Sequence, residues 1–458
     1  MKIALILPDV DSFHALRIHF GLAYLSTALK AAGYRDVRFW AVTSVPDYAR
    51  VLAELKDYRP DIAAFTSVET QFENVIALSR EIKAALPCVT VCGGTFATLF
   101  PDCIKDAPGL DGIFRGECED AFVRFVRRVE RKEDLRQAEN FCWHDRESGK
   151  VAQNPLLPLE TDLDRHGFAD KTIFDYQSVI DGYDGYAPFM FNRGCPYDCA
   201  FCSNHALAMV YSQSRNLTRR RSVDSCVAEI RDAAAGFSFR GIHIWDDLFT
   251  SNRRWLYEFL DRYKAEIAKP FMCTTRSNEC DDELFRRLKE AGCYKVHMSL
   301  ESGSDFIRNR IMRRGISREK VESSFQSAHR HGIRVSASSI IGLPFETEDM
   351  VKETIALLGK LRIADLGVNV FYPYRGTRLR ELCEQYGLIG REVKYGLRER
   401  RESVLDSPHM SKEKLAYYRD NFAVLARRHQ GLMEYAWALI NRHLRPLARR
   451  LLKGRKAR

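Results

Sequence analysis

Three cysteines, Cys195, Cys199 and Cys202, stand close together in the run RGCPYDCAFC at residues 193–202. Their C-x3-C-x2-C spacing lets three thiolates hold three irons of a four-iron cluster. No fourth cysteine lies nearby, so the fourth iron would stay open to a substrate, which suits catalysis better than electron storage. Two alternatives are a zinc site completed by His205, whose spacing from Cys202 fits no zinc finger, and three unrelated core cysteines.

This run resembles the signature of radical S-adenosylmethionine (SAM) enzymes, including the aromatic Phe201 before the last cysteine. The resemblance implies that Cys195, Cys199 and Cys202 hold a [4Fe-4S] cluster and are its catalytic metal ligands. It further implies that the open iron chelates the amino and carboxylate groups of SAM. One electron from the cluster would then cleave SAM and release a 5′-deoxyadenosyl radical.

The composition predicts a soluble globular protein of two or three domains. The chain has 458 residues, of which 45% are hydrophobic and 29% charged. It has no apolar run long enough to span a bilayer. The first eight residues predict a strand rather than a signal peptide, so we expect a cytoplasmic protein. There the 13 cysteines should stay reduced, and those outside the 193–202 run should be buried and inert.

The net charge of +10 is concentrated partly in the basic tail, Arg442–Arg458. Such a tail could contact nucleic acid, acidic lipid or an acidic partner. We favour the simpler interpretation of a solvated helix face that frays, and we expect no nucleic-acid binding.

Residues 1–135 alternate strands with helices, which predicts a parallel, doubly wound, Rossmann-like sheet. The predicted strands are Lys2–Leu7, Val37–Val42, Asp61–Ser67, Val89–Cys92 and Gly112–Phe114. Ligands on such sheets bind at the carboxyl ends of the strands.

The same region resembles the cobalamin-binding domain that precedes many radical SAM barrels, through the runs GLAYL at 21–25, GGTFAT at 93–98 and RGE at 115–117. The cofactor-binding residues that we infer at these strand ends are Pro8, Ser67, Val68, Glu69, Gly93, Gly94, Thr95, Arg115, Gly116 and Glu117. The chain lacks an Asp-x-His-x-x-Gly run, so we expect no histidine beneath cobalt, and Phe96 stands where relatives usually carry histidine. The alternative is a Rossmann-like remnant that binds nothing, or another nucleotide.

The pattern of residues 136–185 predicts a loop-rich connector, and that of residues 186–390 again predicts strands alternating with helices. Six strands are predicted there: Phe189–Asn192, Gly241–Trp245, Phe271–Thr274, Lys295–Leu300, Arg334–Ile341 and Leu366–Phe371. They suggest a partial (β/α)6 barrel of the TIM type, in which chemistry is built from polar residues at strand ends. The predicted fold is therefore α/β: a Rossmann-like cobalamin-binding domain, then the radical barrel, then a helical basic segment at 391–458.

By the same resemblance, the strand ends of the barrel bind SAM. Asp246 and Asp247 would lie near its amino group, and Glu301 and Ser302 near its ribose or carboxylate. The residues that would line or stack on the adenine are Phe201, Ile341, Gly342 and Tyr372. Simpler roles exist, because the two aspartates could cap a helix and Gly342 could belong to an ordinary turn.

The C-terminal segment is predicted to be helical at Lys412–Arg428 and Leu432–Leu452, and contains no motif that names a substrate. The resemblance implies a cobalamin-dependent radical SAM enzyme that methylates an unactivated carbon of a small molecule or lipid, with flavodoxin or ferredoxin as the reductant. One alternative is a cyclase with the same cofactors. Another is a non-enzymatic iron–sulfur sensor, which would not need Asp246, Glu301 or Gly342.

Overall fold

The computed structural model describes residues 1–10, 18–211, 218–390 and 401–429. The chain divides into two compact units. Among the described residues, the first unit comprises 1–273 and 373–382, and the second comprises 274–372, 383–390 and 401–429. No helix in these ranges is long and apolar enough to cross a membrane.

The first unit begins with a seven-stranded sheet in the order β2-β1-β3-β4-β5-β6-β7. Its strands are β1 (Lys2–Pro8), β2 (Asp36–Val42), β3 (Ile62–Thr66), β4 (Val89–Gly93), β5 (Gly112–Phe114), β6 (Phe141–Asp145) and β7 (Lys150–Gln153). The first five strands are parallel, with Ile3 beside both Val37 and Ile62. Every residue of β3 is buried, as expected for a central parallel strand covered on both faces.

Five helices accompany this sheet: α1 (Phe20–Ala31), α2 (Asp47–Tyr58), α3 (Phe72–Ala85), α4 (Thr95–Leu99) and α5 (Glu119–Arg131). Helix α1 starts where the Nδ1 atom of His19 accepts a hydrogen bond from the backbone N–H of Leu22. Helix α5 has acidic residues in its first turn and arginines in its last, which complements the helix dipole.

Strands β6 and β7 are a correction to the sequence prediction, which assigned this stretch to a loop-rich connector. They add antiparallel to β5, with Ile113 beside Cys142. Strand β7 is the half-exposed edge of the sheet, which explains its weak signal, because such strands lack a continuous apolar run.

The remainder of the first unit carries β8 (Tyr186–Phe189), β9 (Asn192–Arg193), β10 (Arg219–Arg220), β11 (Gly241–Ile244) and β12 (Phe271–Thr275), with α6 (Tyr176–Gly182), α7 (Ser203–Val210), α8 (Val223–Gly236) and α9 (Arg253–Glu266). Strands β8, β11 and β12 are parallel neighbours. The first barrel strand ends at Phe189, three residues before the predicted end. Asn192 and Arg193 instead pair antiparallel with Arg220 and Arg219.

The second unit contains β13 (Cys293–Met298), β14 (Arg334–Ile341) and β15 (Asp365–Val370). Its helices are α10 (Asp282–Glu290), α11 (Arg318–Arg330), α12 (Glu348–Lys360) and α14 (Lys412–Arg428), and it also includes the residues of α13 (Arg378–Gln385) from Cys383 onward. These strands are again parallel. The protein is therefore α/β, with a Rossmann-like N-terminal domain, six parallel strands of a partial (β/α)6 barrel and a helical C-terminal segment. The predicted helix Leu432–Leu452 and the basic tail lie outside the described residues.

Candidate functional site

The three cysteines lie in the loop between β9 and α7, and none forms a disulfide. Cys202 donates its backbone N–H to the carbonyl of Cys199 at 3.1 Å, which folds the loop back on itself. Burial, with smaller contributions from Cys199, Asp247 and Cys195, raises the pKa of the Cys202 thiol to about 12, although a hydrogen bond with the Asn204 backbone opposes the shift. A positive metal centre would favour the thiolate form of Cys202.

In the described ranges, no three His, Cys, Asp or Glu side chains converge tightly enough to hold a single metal ion. This is compatible with an iron–sulfur cluster, because there each thiolate binds a different iron atom.

Asp246 and Asp247 follow β11 and contact the cysteine loop from its amino side. The Oδ1 atom of Asp246 accepts hydrogen bonds from the backbone N–H groups of Phe191 at 2.7 Å and Asn192 at 3.1 Å. Burial raises the pKa of Asp246 to about 7, although these two donors oppose the shift. Burial also raises the pKa of Asp247, against hydrogen bonds from the Asn204 side chain and the Gly194 backbone. The structure thus brings both aspartates to the loop, and their binding of SAM stays a prediction.

A cavity of about 210 Å³ lies at the carboxyl ends of β3, β4 and β5. Four of the predicted cofactor-binding residues line it, namely Gly93, Gly94, Gly116 and Glu117. The six others near these strand ends, Pro8, Ser67, Val68, Glu69, Thr95 and Arg115, are not among its lining residues. The lining also includes Tyr24 of the GLAYL run and the N-cap residue of α1, His19, which the sequence analysis did not single out.

The glycine at position 94 keeps the strand ends open. Its φ is +96°, and a Cβ atom there would lie 2.7 Å from Thr66 Oγ1 and 2.8 Å from the Ser67 carbonyl oxygen. Only glycine accommodates both the conformation and this close approach. The cavity walls are mostly apolar.

A larger groove of about 920 Å³ lies near the opposite, amino ends of β4 and β5, lined among others by Lys83, Asp111, Arg136 and Trp143. It contains none of the predicted site residues. Its size alone does not make it the reaction site, because the cysteines and the glycine turns lie elsewhere.

In the second unit, Glu301 adopts a left-handed backbone conformation with φ of +67°. Its Oε1 accepts a hydrogen bond from Arg314 at 3.3 Å, and Arg314 also donates to the carbonyl of Ser299 at 2.9 Å. Ser302 is fully buried and lies 3.4 Å from Thr354 Oγ1 on α12. Ser302 therefore supports the packing of this turn against α12, and its predicted contact with SAM remains untested.

The turn after β14 contains Gly342, with φ of +77°, and a buried glutamate that the sequence analysis did not single out. The Oε2 atom of Glu346 accepts hydrogen bonds from the N–H groups of Gly342 at 2.6 Å and Leu343 at 3.2 Å. Burial raises the pKa of Glu346 to about 8, although both donors oppose the shift. Ile341 and Tyr372 are buried in the same unit, whereas Phe201 of the first unit is half-buried.

A second group that sequence reasoning missed is a polar cluster on β13 and β14. His297 lies beside Ser336 in the strand register, and its ring nitrogens are 3.2 Å from Ser336 Oγ and 2.9 Å from Ser299 Oγ. Burial, with smaller contributions from Lys295 and Arg314, lowers the pKa of His297 to about 4. The imidazole is therefore neutral at neutral pH.

Comparison with known proteins supports two domains. Residues 189–358 match the radical SAM superfamily, and residues 10–126 match the B12 binding domain. Over 398 residues the chain is 26% identical to an uncharacterized methyltransferase of Pyrococcus horikoshii, covering 85% of this chain and 84% of the relative.

Two further comparisons are with the sequence of a cyclase and with a solved structure. An anaerobic magnesium-protoporphyrin IX monomethyl ester cyclase of Rubrivivax gelatinosus is 27% identical over 350 residues, which cover 73% of this chain and 60% of the cyclase. The solved structure of the radical SAM methyltransferase TsrM from Kitasatospora setae aligns with a TM-score of 0.69 at 17% identity. The alignment covers 85% of this chain and 77% of TsrM, and at this identity it supports the fold alone.

Proposed function

The chain is a radical SAM protein with a B12-binding domain, and from this premise we propose that it is a methyltransferase that transfers a methyl group to an unactivated carbon. Its cofactors are a [4Fe-4S] cluster, SAM and cobalamin.

One observation carries the proposal. Met190 and Arg193 belong to the segment that leads into Cys195, and both line the cavity at the glycine-rich strand ends. The segment before the predicted cluster loop is thus also a wall of the predicted cobalamin cavity, within one compact unit. A reaction that combines both cofactors requires this proximity.

When bound, the cluster supplies the electron that cleaves SAM, and cobalamin carries the methyl group. The side chains of the chain position and shield these groups. Cys195, Cys199 and Cys202 provide the thiolates, while Asp246 fixes the backbone that leads into the loop through its two hydrogen bonds. Gly94 keeps the floor of the cavity clear.

We further propose a small-molecule substrate, with a lipid as one class to be tested, and an acidic reductant of the flavodoxin or ferredoxin type. A reducing compartment such as the cytoplasm would keep the thiols available for iron.

The test uses full-length protein, purified anaerobically, with reconstituted cluster, hydroxocobalamin, excess dithionite and SAM carrying a labelled methyl group. We expect bound cobalamin and production of both 5′-deoxyadenosine and S-adenosylhomocysteine, and a Cys199→Ala variant should form no 5′-deoxyadenosine above background. Wild-type protein with intact cofactors that forms 5′-deoxyadenosine and never S-adenosylhomocysteine, even with candidate substrates, would contradict methyl transfer.

The 27% identity to the cyclase favours one second candidate, a ring-forming or oxidative enzyme with the same cofactors. Product mass separates the two reactions. Methylation adds one labelled methylene unit to the substrate, whereas cyclisation adds none.

A further inference from the structure

The cysteine loop is tied to the first sheet by a carboxylate at the end of β5. Glu117 accepts a hydrogen bond from Arg193 Nη1 at 2.9 Å and pairs with the guanidinium of Arg219. Arg193 stands two residues before Cys195, and its Nη2 donates to Glu119 at 2.6 Å. The side chain of Glu117 therefore already has two cationic partners, both from the segments that flank the loop.

A second carboxylate, at the end of β3, ties the other side of the loop. The Oε2 atom of Glu69, which is 2% exposed, accepts the backbone N–H of Arg375 at 2.9 Å. The Arg375 guanidinium lies 4.6 Å from the ring centre of Phe100. Four residues further along, Leu379 donates its N–H to the carbonyl of Ala200, which stands between Cys199 and Cys202, at 3.0 Å.

A third contact comes from Tyr211, the residue that ends α7 beyond the cysteines. Its hydroxyl oxygen accepts the backbone N–H of Glu117 at 2.7 Å. A Cβ atom on Gly116 would lie 2.0 Å from that oxygen. The loop is therefore held at its start, in its middle and at its end by residues at or near the strand ends where cobalamin is expected.

We propose that Glu69 and Glu117 are positioning residues that fix the cysteine loop against the cobalamin-binding strand ends, so that cluster assembly and cobalamin binding strengthen each other. Because these contacts join the loop to the strand ends, order that one cofactor imposes on its own element would reduce the conformational entropy lost when the other cofactor binds. The coupling must be reciprocal because it is a free energy between two sites. The inference rests on the cofactors of the proposed function, and does not depend on which reaction they perform.

The experiment measures the dissociation constant of hydroxocobalamin for full-length protein, with and without reconstituted cluster, by anaerobic absorption titration. We expect the cluster to tighten binding by about tenfold in the wild type, a typical size for coupling between sites. In Glu117→Gln the ratio should fall close to one, because the neutral amide cannot hold both arginines.

Matched variants show whether the effect belongs to this contact. Glu139→Gln removes a carboxylate that binds Arg124 at 2.7 Å in the same domain, away from the loop, and should keep the wild-type ratio. Glu69→Ala removes the acceptor of the Arg375 backbone N–H, so it should lower the ratio as Glu117→Gln does and serves as the second variant if Glu117→Gln fails to fold. Arg193→Lys retains the charge and should retain part of the coupling.

The titrations separate a positioning role of Glu117 from direct binding of cobalamin by this residue. If Glu117→Gln weakens cobalamin binding equally with and without the cluster, Glu117 is a cobalamin ligand and the positioning role is overturned. A wild-type ratio of one, with measurable affinity, also overturns it while leaving the proposed function intact. Failure of wild-type protein to bind cobalamin in either state would contradict the cofactors themselves.

Discussion

The carboxylate of Glu346 accepts a 2.6 Å hydrogen bond from the backbone N–H of Gly342, four residues earlier in the turn after β14. Gly342 has a left-handed backbone conformation, so its N–H cannot continue the hydrogen bonds between the strands. The buried Glu346 side chain, rather than water, accepts this N–H. Holding the turn in this way carries a cost, because burial favours the neutral acid over the carboxylate.

The raised pKa of Glu346 predicts a pH dependence of stability. The folded-state pKa of about 8 lies above the unfolded value, so this contribution is complete below about pH 4.5 and is lost as the pH rises towards 8. Relative to Glu346→Gln, which keeps an acceptor but cannot ionise, wild-type protein should lose up to about 4 kcal/mol over that range. Denaturant unfolding of cluster-free protein at several pH values measures the difference.

Glu348→Gln is the matched control two residues away. Hydrogen bonds from Lys414, Tyr418 and Lys352 lower the pKa of Glu348 to about 2, so its contribution is lost only in acid. The stability difference between this variant and the wild type should stay constant from pH 5 to 8. A Glu346→Gln difference that is equally constant would contradict the assigned ionisation.

The glycine at position 94 offers a test of the cobalamin cavity. Gly94→Ala would force a Cβ into the Thr66 side chain and the Ser67 backbone, so we expect cobalamin affinity to fall by at least about tenfold, equivalent to about 1.4 kcal/mol. Equilibrium dialysis against hydroxocobalamin measures this loss. Gly33 has nearly the same φ, +97°, with no atom within 4 Å of the added Cβ, so Gly33→Ala carries the conformational strain without the collision. Equal affinities in the two variants would argue against this cavity as the binding site.

The thiol at position 199 should be essential for the cluster. Cys199→Ala leaves two thiolates for the four-iron cluster, so reconstituted protein should lose most of its iron, its charge-transfer absorption and SAM cleavage. Iron and sulfide analysis after desalting checks this expectation. Cys226→Ala, in the buried face of α8, removes an equally buried thiol and should retain the full iron content. A Cys199→Ala protein that still forms 5′-deoxyadenosine would refute the ligand assignment.

The sequence was most informative where the signal is local. Strand β14 and helix α14 match their predicted bounds, since each has a clear apolar pattern and defined ends. Strands β6 and β7 were wrongly assigned to a connector, because β6 depends on pairing with β5, and β7 on pairing with β6, rather than on their own residues.

The same distinction applies to the site. The three cysteines lie within eight residues of one another and were recognisable from spacing alone. The partners of the predicted strand-end residues were not recognisable, because Arg375 reaches Glu69 from 306 positions further along the chain. A single sequence contains no spacing that relates two such residues, and only the packed structure shows that these carboxylates bind arginines.

We expect the largest loss of stability from a substitution within a buried ion cluster. Glu229 on α8 is 1% exposed and pairs with both Lys171 and Arg221, which are themselves buried. Glu229→Gln would leave Lys171 without its carboxylate partner and Arg221 with Asp164 alone, 3.6 Å away, so the free energy of unfolding should fall by about 3–5 kcal/mol. Glu290→Gln removes the partner of a half-exposed Arg286 at 2.7 Å and should change stability by less than about 1 kcal/mol. Chemical denaturation of both variants at the same pH compares them. Similar losses would mean that solvent screens the Glu229 cluster, contrary to its burial.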